Sequence, residues 1–221
     1  YFAPFIRVIK VRKIVATIHT KTFDVFRLKY PFLKFLIYLF IKIERKIINN
    51  FVNDLSFAGD YSRDLYKKRH KNLRKKLWHL PPPFNFKRAR KSNFFKKEKK
   101  KIILVVGRIA LVKRPLLVAK LFLYALKKDP YVAKNFKLCF AGTGETLNDL
   151  NKFINNNNLN KFILPVKKIN NSLMPQLYKG SHAVLFLSQS EVNPFVIKEA
   201  LSSGKPIFTT NVGTAKNLIT K

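Results

Sequence analysis

From residue 102 onward the chain alternates short apolar runs with segments whose apolar positions recur every three or four residues. Ile102–Val106, Phe136–Ala141, Phe162–Pro165, Ala183–Leu187 and Ile207–Thr210 are runs of four to six residues rich in Val, Ile, Leu and Phe. Such runs read as strands buried on both faces. Between them, helices are predicted over 115–127, 145–154, 172–179 and 194–203, with another opening after Gly213. Strands that alternate with helices imply a parallel sheet, hence a doubly wound, Rossmann-like α/β domain. Asn155–Asn158 reads as an exposed loop at a helix end.

The earlier residues follow a looser pattern. A short strand is expected over Ile14–Ile18 and a long helix from Pro31 to Phe51. That helix sets Phe32, Phe35, Leu36, Leu39, Phe40 and Ile43 on one face. The face suits a domain core or, with Lys34, Arg45 and Lys46 around it, a membrane surface. A further helix is expected over Asp60–Arg69. Seventeen Lys or Arg lie between Arg63 and Lys101, and Pro81-Pro82-Pro83 rules out a regular helix there. Lys96–Lys101 reads as a solvated connection. The domain boundary is placed near residues 86–100, giving one region over 1–95, linker included, and a second over 96–221.

Composition adds charge to this picture. The chain has 45 Lys and Arg against 11 Asp and Glu, a net charge of +34. Such a field draws polyanions: anionic lipid, nucleic acid or phosphorylated substrates. A codon bias toward Lys, Asn, Ile and Phe would raise Glu as well, yet Glu is scarce, so some of the charge is expected to be used. A hydrophobic share of 47% describes a folded chain. The single Cys139, between Leu138 and Phe140, forms no internal disulfide and reads as a small buried hydrophobe. The most apolar stretch, Phe35–Ile41, is far short of the ~20 residues that span a bilayer. The first residues lack the apolar core of a signal peptide. A cytoplasmic location is therefore expected, extending at most to the inner face of a membrane. Tyr1 is not an initiator Met, so a partial chain is expected.

In parallel sheets ligands bind where strands end, and chemistry-bearing residues cluster there. Gly107 and Arg108 follow the first strand of the second region, with Lys113, Arg114 and Pro115 in the same loop. Two cations at a helix N-terminus suit a diphosphate. Gly142-Thr143-Gly144 follows the next strand; it lacks the third glycine of a dinucleotide fingerprint and the lysine of a P-loop. It implies only a close backbone approach. Asn193 is placed as the N-cap of the next-to-last helix, with Pro194 in its first turn and Gly204-Lys205-Pro206 as its stop. Glu199 lies in the second turn among apolar neighbours, where a carboxylate must find donors or lose its charge. Ribose hydroxyls would supply them. Glu191, eight residues earlier, lies in the loop that ends the preceding strand.

Glu191-Val-Asn-Pro-Phe-Val-Ile-Lys-Glu199-Ala, followed by Leu201, Gly204 and Pro206, resembles the C-terminal signature of retaining family 4 glycosyltransferases, which have the GT-B fold. Its common forms are E-G-F-G-x-x-x-x-E-A and E-G-N-P-x-V-x-x-E-A. Val106-Gly107-Arg108 with Lys113 matches V-G-R-x-x-x-x-K, Gly142-Thr143-Gly144 a G-x-G loop, and Val212-Gly213 a late glycine turn. The match runs over about 102–219. Val192, Arg114 and Thr214 depart from it, each standing where glycine is usual.

The resemblance implies that residues 96–221 are a nucleotide-sugar donor-binding domain, truncated at its end. Residues 1–95 would be a partial, acceptor-side Rossmann-like domain. Arg108 and Lys113 would hold the phosphates and stabilise the departing nucleoside diphosphate. Glu199 would hold the ribose and Glu191 would orient the sugar. Gly107, Gly142, Gly144, Asn193 and Phe195 would complete the nucleotide site, helped by backbone N–H groups at the start of the 194–203 helix. His19, after Thr17-Ile18, looks like the strand-end histidine that reaches the donor sugar. Asp60–Tyr66 and Leu80-Pro81-Pro82-Pro83 resemble the last parts of the N-terminal domain, while its first glycine-rich loop is missing. The implied reaction retains anomeric configuration. It needs no metal, in keeping with the lack of any Asp-x-Asp, and no cofactor beyond a UDP-, GDP- or ADP-linked donor. The implied partners are that donor, a glycan or lipid-linked acceptor and an anionic membrane surface. Nucleic acid is not expected, since no nucleic-acid motif occurs. The alternatives are a basic binding module for nucleic acid or anionic membrane on the same scaffold, and an inactive remnant of the enzyme.

Overall fold

Val15–Ile18 (β1), Asp54–Phe57 (β2) and Leu77–His79 (β3) pair in parallel in that order, with helices Lys34–Phe51 (α1) and Asp60–Arg69 (α2) in the connections. The computed structural model describes residues 13–18, 31–69 and 75–219. Ile48 and Val52, at the end of α1, pack with Leu55 and Phe57 of β2. Alternate positions of β2 are polar but buried, which hides the strand from a hydrophobicity pattern. Ser56 shares a 2.6 Å hydrogen bond with Thr17. Asp54 pairs with Lys13 at 2.6 Å and accepts from the Trp78 indole.

The apolar face expected of α1 is not its packed face. Phe35 is 76% exposed, and Phe32, Leu36, Leu39, Phe40 and Ile43 are exposed too. Among the described residues, Ile48 in its last turns and Val52 just past its end join the core beside the sheet.

The chain forms two compact units. The first holds Tyr1–Pro83 with two returning segments, Ser190–Asn193 and Val212–Asn217; the second holds Phe84–Gln189, Pro194–Asn211 and Leu218–Lys221. In the second unit five parallel strands run Lys101–Val106 (β4), Phe136–Ala141 (β5), Ile163–Lys167 (β6), Ala183–Phe186 (β7) and Ile207–Thr209 (β8). Helices Pro115–Lys128 (α3), Pro130–Asn135 (α4), Leu147–Asn156 (α5), Met174–Gly180 (α6) and Phe195–Ser202 (α7) connect them, and Ala215–Leu218 (α8) follows. Every strand and helix expected after residue 102 is present, with ends moved by at most two residues. The short α4 was not expected, although Asp129 caps it by accepting from the Tyr131 N–H at 2.8 Å.

The strand order is β6-β5-β4-β7-β8. The chain builds outward from β4 in one direction, then returns to add β7 and β8 on the other side, so the switch point lies between β4 and β7. Side chains alternate between the two faces. Val105, Leu138 and Phe140 join α3 and α5 through Val118, Phe122, Leu150 and Ile154. Ile102, Leu104, Cys139 and Val184 join α6 and α7 through Leu177, Tyr178 and Ala200. Cys139 is buried there, and desolvation, followed by the nearby Glu98 charge, pushes its thiol up to about 12. That holds it as an inert thiol.

Residues 84–100 contain no helix or strand, yet they are more than a solvated connection. Phe86, Phe94 and Phe95 pack against the second face of the sheet, and Glu98 pairs with Lys137 at 2.7 Å. Burying an aromatic ring contributes about 2 kcal/mol, more than enough to draw a basic strap onto the core while its charges stay in water.

Candidate functional site

The loops after β4 and β5 are pressed together at the carboxyl edge of the second unit's sheet. Gly107 N–H donates to Ala141 O at 3.1 Å, Ile109 N–H to Thr143 O at 2.9 Å, and Thr146 N–H to Ile109 O at 3.0 Å. A Cβ on Gly142 would stand 1.9 Å from Gly107 O, and one on Gly144 would stand 2.4 Å from Ile109 O. The close approach that these glycines permit is therefore between two protein loops. Gly107 is required for a different reason, its φ of +135°.

Arg108 is exposed just beyond Gly107. Lys113 closes a 3-10 turn over Leu111–Lys113, with its Nζ 5.2 Å from the Phe186 ring centroid. The loop after β7 is tied to this turn, since Gln189 N–H donates to Val112 O at 2.8 Å and Ser188 Oγ donates to the same carbonyl. These ties join the loops of β4 and β7, the two strands that flank the switch point. Open α/β sheets bind ligands at that crevice.

Arg114, which precedes α3, sits in the left-handed region at φ 55°, ψ 44°. A side chain there costs about 1 kcal/mol relative to glycine. We expect Arg114→Gly to stabilise the protein by roughly that amount, read as a higher midpoint in urea with an unchanged slope. An unchanged or lower midpoint would mean that the Arg114 side chain contributes as much as the backbone strain costs.

Glu199 lies on α7, half-buried. Its Oε2 accepts the Tyr178 hydroxyl proton at 2.7 Å. Burial raises the Glu199 pKa above the ordinary carboxylate value, and the Tyr178 bond partly opposes this. Tyr178, fully buried on α6, has its phenol pushed well up by burial and by the Glu199 charge. Phe195, in the first turn of α7, stacks on Phe84 at 5.9 Å; Phe84 stacks on Phe86, and Phe86 meets Tyr178 edge-on at 5.7 Å. Lys198 Nζ sits over both Phe84 and Phe195.

Asn193 does not cap α7. Pro194 holds that position, at φ −72°, ψ 108°, with no side-chain cap. The Asn193 amide is committed within the first unit, where Nδ2 donates to Ala58 O at 3.1 Å and Oδ1 accepts from Thr214 Oγ1 at 3.3 Å. Glu191 belongs to the same returning segment. A Cβ on Gly213, whose φ is +55°, would stand 2.8 Å from the Glu191 carbonyl and 2.5 Å from that of Val192. His19 lies outside the described residues.

The second unit thus gathers Gly107, Arg108, Lys113, Gly142 and Gly144 at the strand ends, with Glu199 and Phe195 on the helix beyond β7. Glu191 and Asn193 fall in the first unit. Sequence reasoning did not find Tyr178 or the Phe84–Phe86 stack. A contact between residues 178 and 199 leaves no trace in local periodicity, and Phe84 and Phe86 lie in a stretch marked by its charge.

The sheet order and the placing of these groups define a Rossmann-like domain of the GT-B type. The chain belongs to the family of glycosyl transferases group 1, whose model matches residues 86–221. No curated protein matches it significantly. Among solved structures it is similar to sucrose-phosphate synthase from Thermosynechococcus elongatus, at 16% identity and a TM-score of 0.73 over 92% of this chain and 51% of that one. It is also similar to the pneumococcal O-GlcNAc transferase GtfA in complex with UDP and GlcNAc, at 18% identity and a TM-score of 0.61 over 76% and 33%. A third is S. aureus TarM in a complex that includes UDP, at 17% identity and a TM-score of 0.62 over 79% and 34%. At these identities the likeness is one of fold. The chain spans between a third and a half of the length of these proteins.

Proposed function

We propose that the chain carries the donor-binding half of an enzyme that moves a sugar from a nucleoside-diphosphate sugar to a glycan or lipid-linked acceptor. The observation that carries this reading is Glu199, a half-buried carboxylate whose pKa burial raises, on the helix that follows the switch-point loop. Ribose hydroxyls would add donors to the one that Tyr178 supplies. Arg108 and Lys113 would hold the diphosphate, with the uncapped first turn of α7 adding backbone N–H groups. UDP is present in the GtfA and TarM complexes, which supports a nucleotide donor here. Retention, independence of metal, and the roles of Glu191 and His19 follow from the resemblance to family 4.

A thermal-shift series with UDP, GDP and ADP tests the reading. A rise in melting temperature with one of them is expected, and it should be lost in Glu199→Ala. No shift with any nucleotide, or an equal shift in Glu199→Ala, would show the reading to be wrong. Binding without turnover in the full-length protein would favour an inactive remnant.

Peripheral contact with an anionic membrane, on the cytoplasmic side, is part of the same reading. Phe35, Leu39, Phe40 and Ile43 stand exposed on α1 beside Lys42, Arg45 and Lys46. Among the described residues no helix is long and apolar enough to cross a membrane. The chain is expected to sediment with vesicles containing anionic lipid and to remain in solution with neutral ones; Phe35→Ser together with Phe40→Ser should cut binding at least about tenfold. Indifference to lipid charge would remove the membrane from the reading.

A further inference from the structure

Glu199 has a peculiar setting for an acid in a chain with 45 Lys and Arg. Among the described residues no cation lies within ion-pair distance of it. Its hydrogen-bond partner is a neutral group, the Tyr178 hydroxyl, at 2.7 Å. That hydroxyl belongs to a fully buried ring held edge-on by Phe86, so its direction is fixed. Strands β7 and β8, packed against α7, carry no ionisable side chain. Helix α6 brings only Tyr178 and Lys179, and on α7 itself Lys198 is turned to the Phe84 and Phe195 rings. Lys205 and Arg88 lie beyond the end of α7, at Gly204.

A carboxylate facing a lysine would be drawn toward it and screened. One fixed by a phenol through Oε2 has its second oxygen available in a set direction. Two neighbouring hydroxyls that donate to one carboxylate fit such an acceptor, because the pair needs both oxygens in a defined plane. We propose that Tyr178 is a positioning residue that aims Glu199 at the cis-diol of ribose, so that the site selects ribonucleotides over deoxyribonucleotides. This rests on the reading of Glu199 as the ribose acceptor given above. The Tyr178 bond also opposes the upward effect of burial on the Glu199 pKa.

The test is calorimetric binding of whichever nucleoside diphosphate the chain accepts, of its 2′-deoxy and 3′-deoxy analogues, and of pyrophosphate. The chain should prefer the ribonucleotide by about tenfold or more, the worth of one charge-assisted hydrogen bond. Tyr178→Phe should lose most of that preference and bind pyrophosphate unchanged. Its nucleotide binding should also set in at higher pH, because Glu199 loses the bond that lowers its pKa while Lys179, Lys198, Lys205 and Arg88 stay in place. An unchanged ribose preference and pH midpoint in a normally melting Tyr178→Phe would overturn the proposal. Should that variant fail to fold, Tyr178→Phe combined with Glu199→Gln leaves no buried charge without its partner. The double variant should then match Glu199→Gln in ribose preference, and a further loss would overturn the proposal. If the chain binds no nucleotide, or Glu199→Ala binds as well as the parent, it is the ribose assignment that fails instead.

Discussion

Glu199→Gln is expected to weaken nucleoside-diphosphate binding by on the order of a hundredfold and to raise the melting temperature of the empty protein at neutral pH. The first effect follows from replacing two hydrogen bonds to a carboxylate, at ~1.5–3 kcal/mol each, by neutral ones at ~0.5–1.5 kcal/mol. The second follows from burial. Because the folded-state pKa of Glu199 is raised, burial favours the folded protein only while the carboxyl is protonated, and that contribution is lost as pH rises through the raised value. The amide removes this cost and still accepts from Tyr178. The stability gain should therefore be full above the raised pKa and vanish below the ordinary value of 4.5. Paired melting curves and titrations at acid and neutral pH check both halves. A variant that binds weakly and also melts lower at neutral pH would point to general damage to α7.

Gly142→Ala should produce the largest loss of stability. A Cβ placed 1.9 Å from the Gly107 carbonyl cannot be accommodated by a rotamer change, because the obstacle is backbone. The loops after β4 and β5 must separate, and with them the hydrogen bonds of Gly107, Ile109 and Thr146. Overpacking of this kind costs on the order of 3 kcal/mol, or roughly 10 °C in melting temperature for a chain of this size. The Arg108 loop moves with them, so nucleotide affinity should fall in the same variant. Normal melting would show that the two loops are more adaptable than their contacts imply.

Some of this was legible in the sequence, for identifiable reasons. The second unit's strands are apolar throughout and its helices carry their own punctuation, such as Pro115 and Gly204, so local chemistry placed them. Strand β2 escaped because Asp54 and Ser56 are buried polar residues satisfied by Lys13, Trp78 and Thr17, partners that lie far away along the chain. Asn193 misled in the opposite direction. It is a good cap by type, but its amide is used by Ala58 and Thr214, and a competition of that sort is invisible to a local rule. The glycines at 142 and 144 announced a close approach without saying to what. Glu199 could be recognised as an acid short of donors, whereas Tyr178 could not be recognised at all.

The returning segments of the first unit bear on the order in which the protein is made. Asn193 reaches back to Ala58 across 135 residues, and Thr214 closes on Asn193 and Val192 later still. The second unit is nearly continuous, and strands β4, β5 and β6 can pair as they leave the ribosome. The first unit must wait until residues 190–193 and 212–217 have emerged. Contacts so distant in sequence form slowly and leave surfaces uncovered in the interval. The strands around Ala58 are synthesised before the second unit and completed after it, so in the growing chain it is this segment that most depends on protection from aggregation.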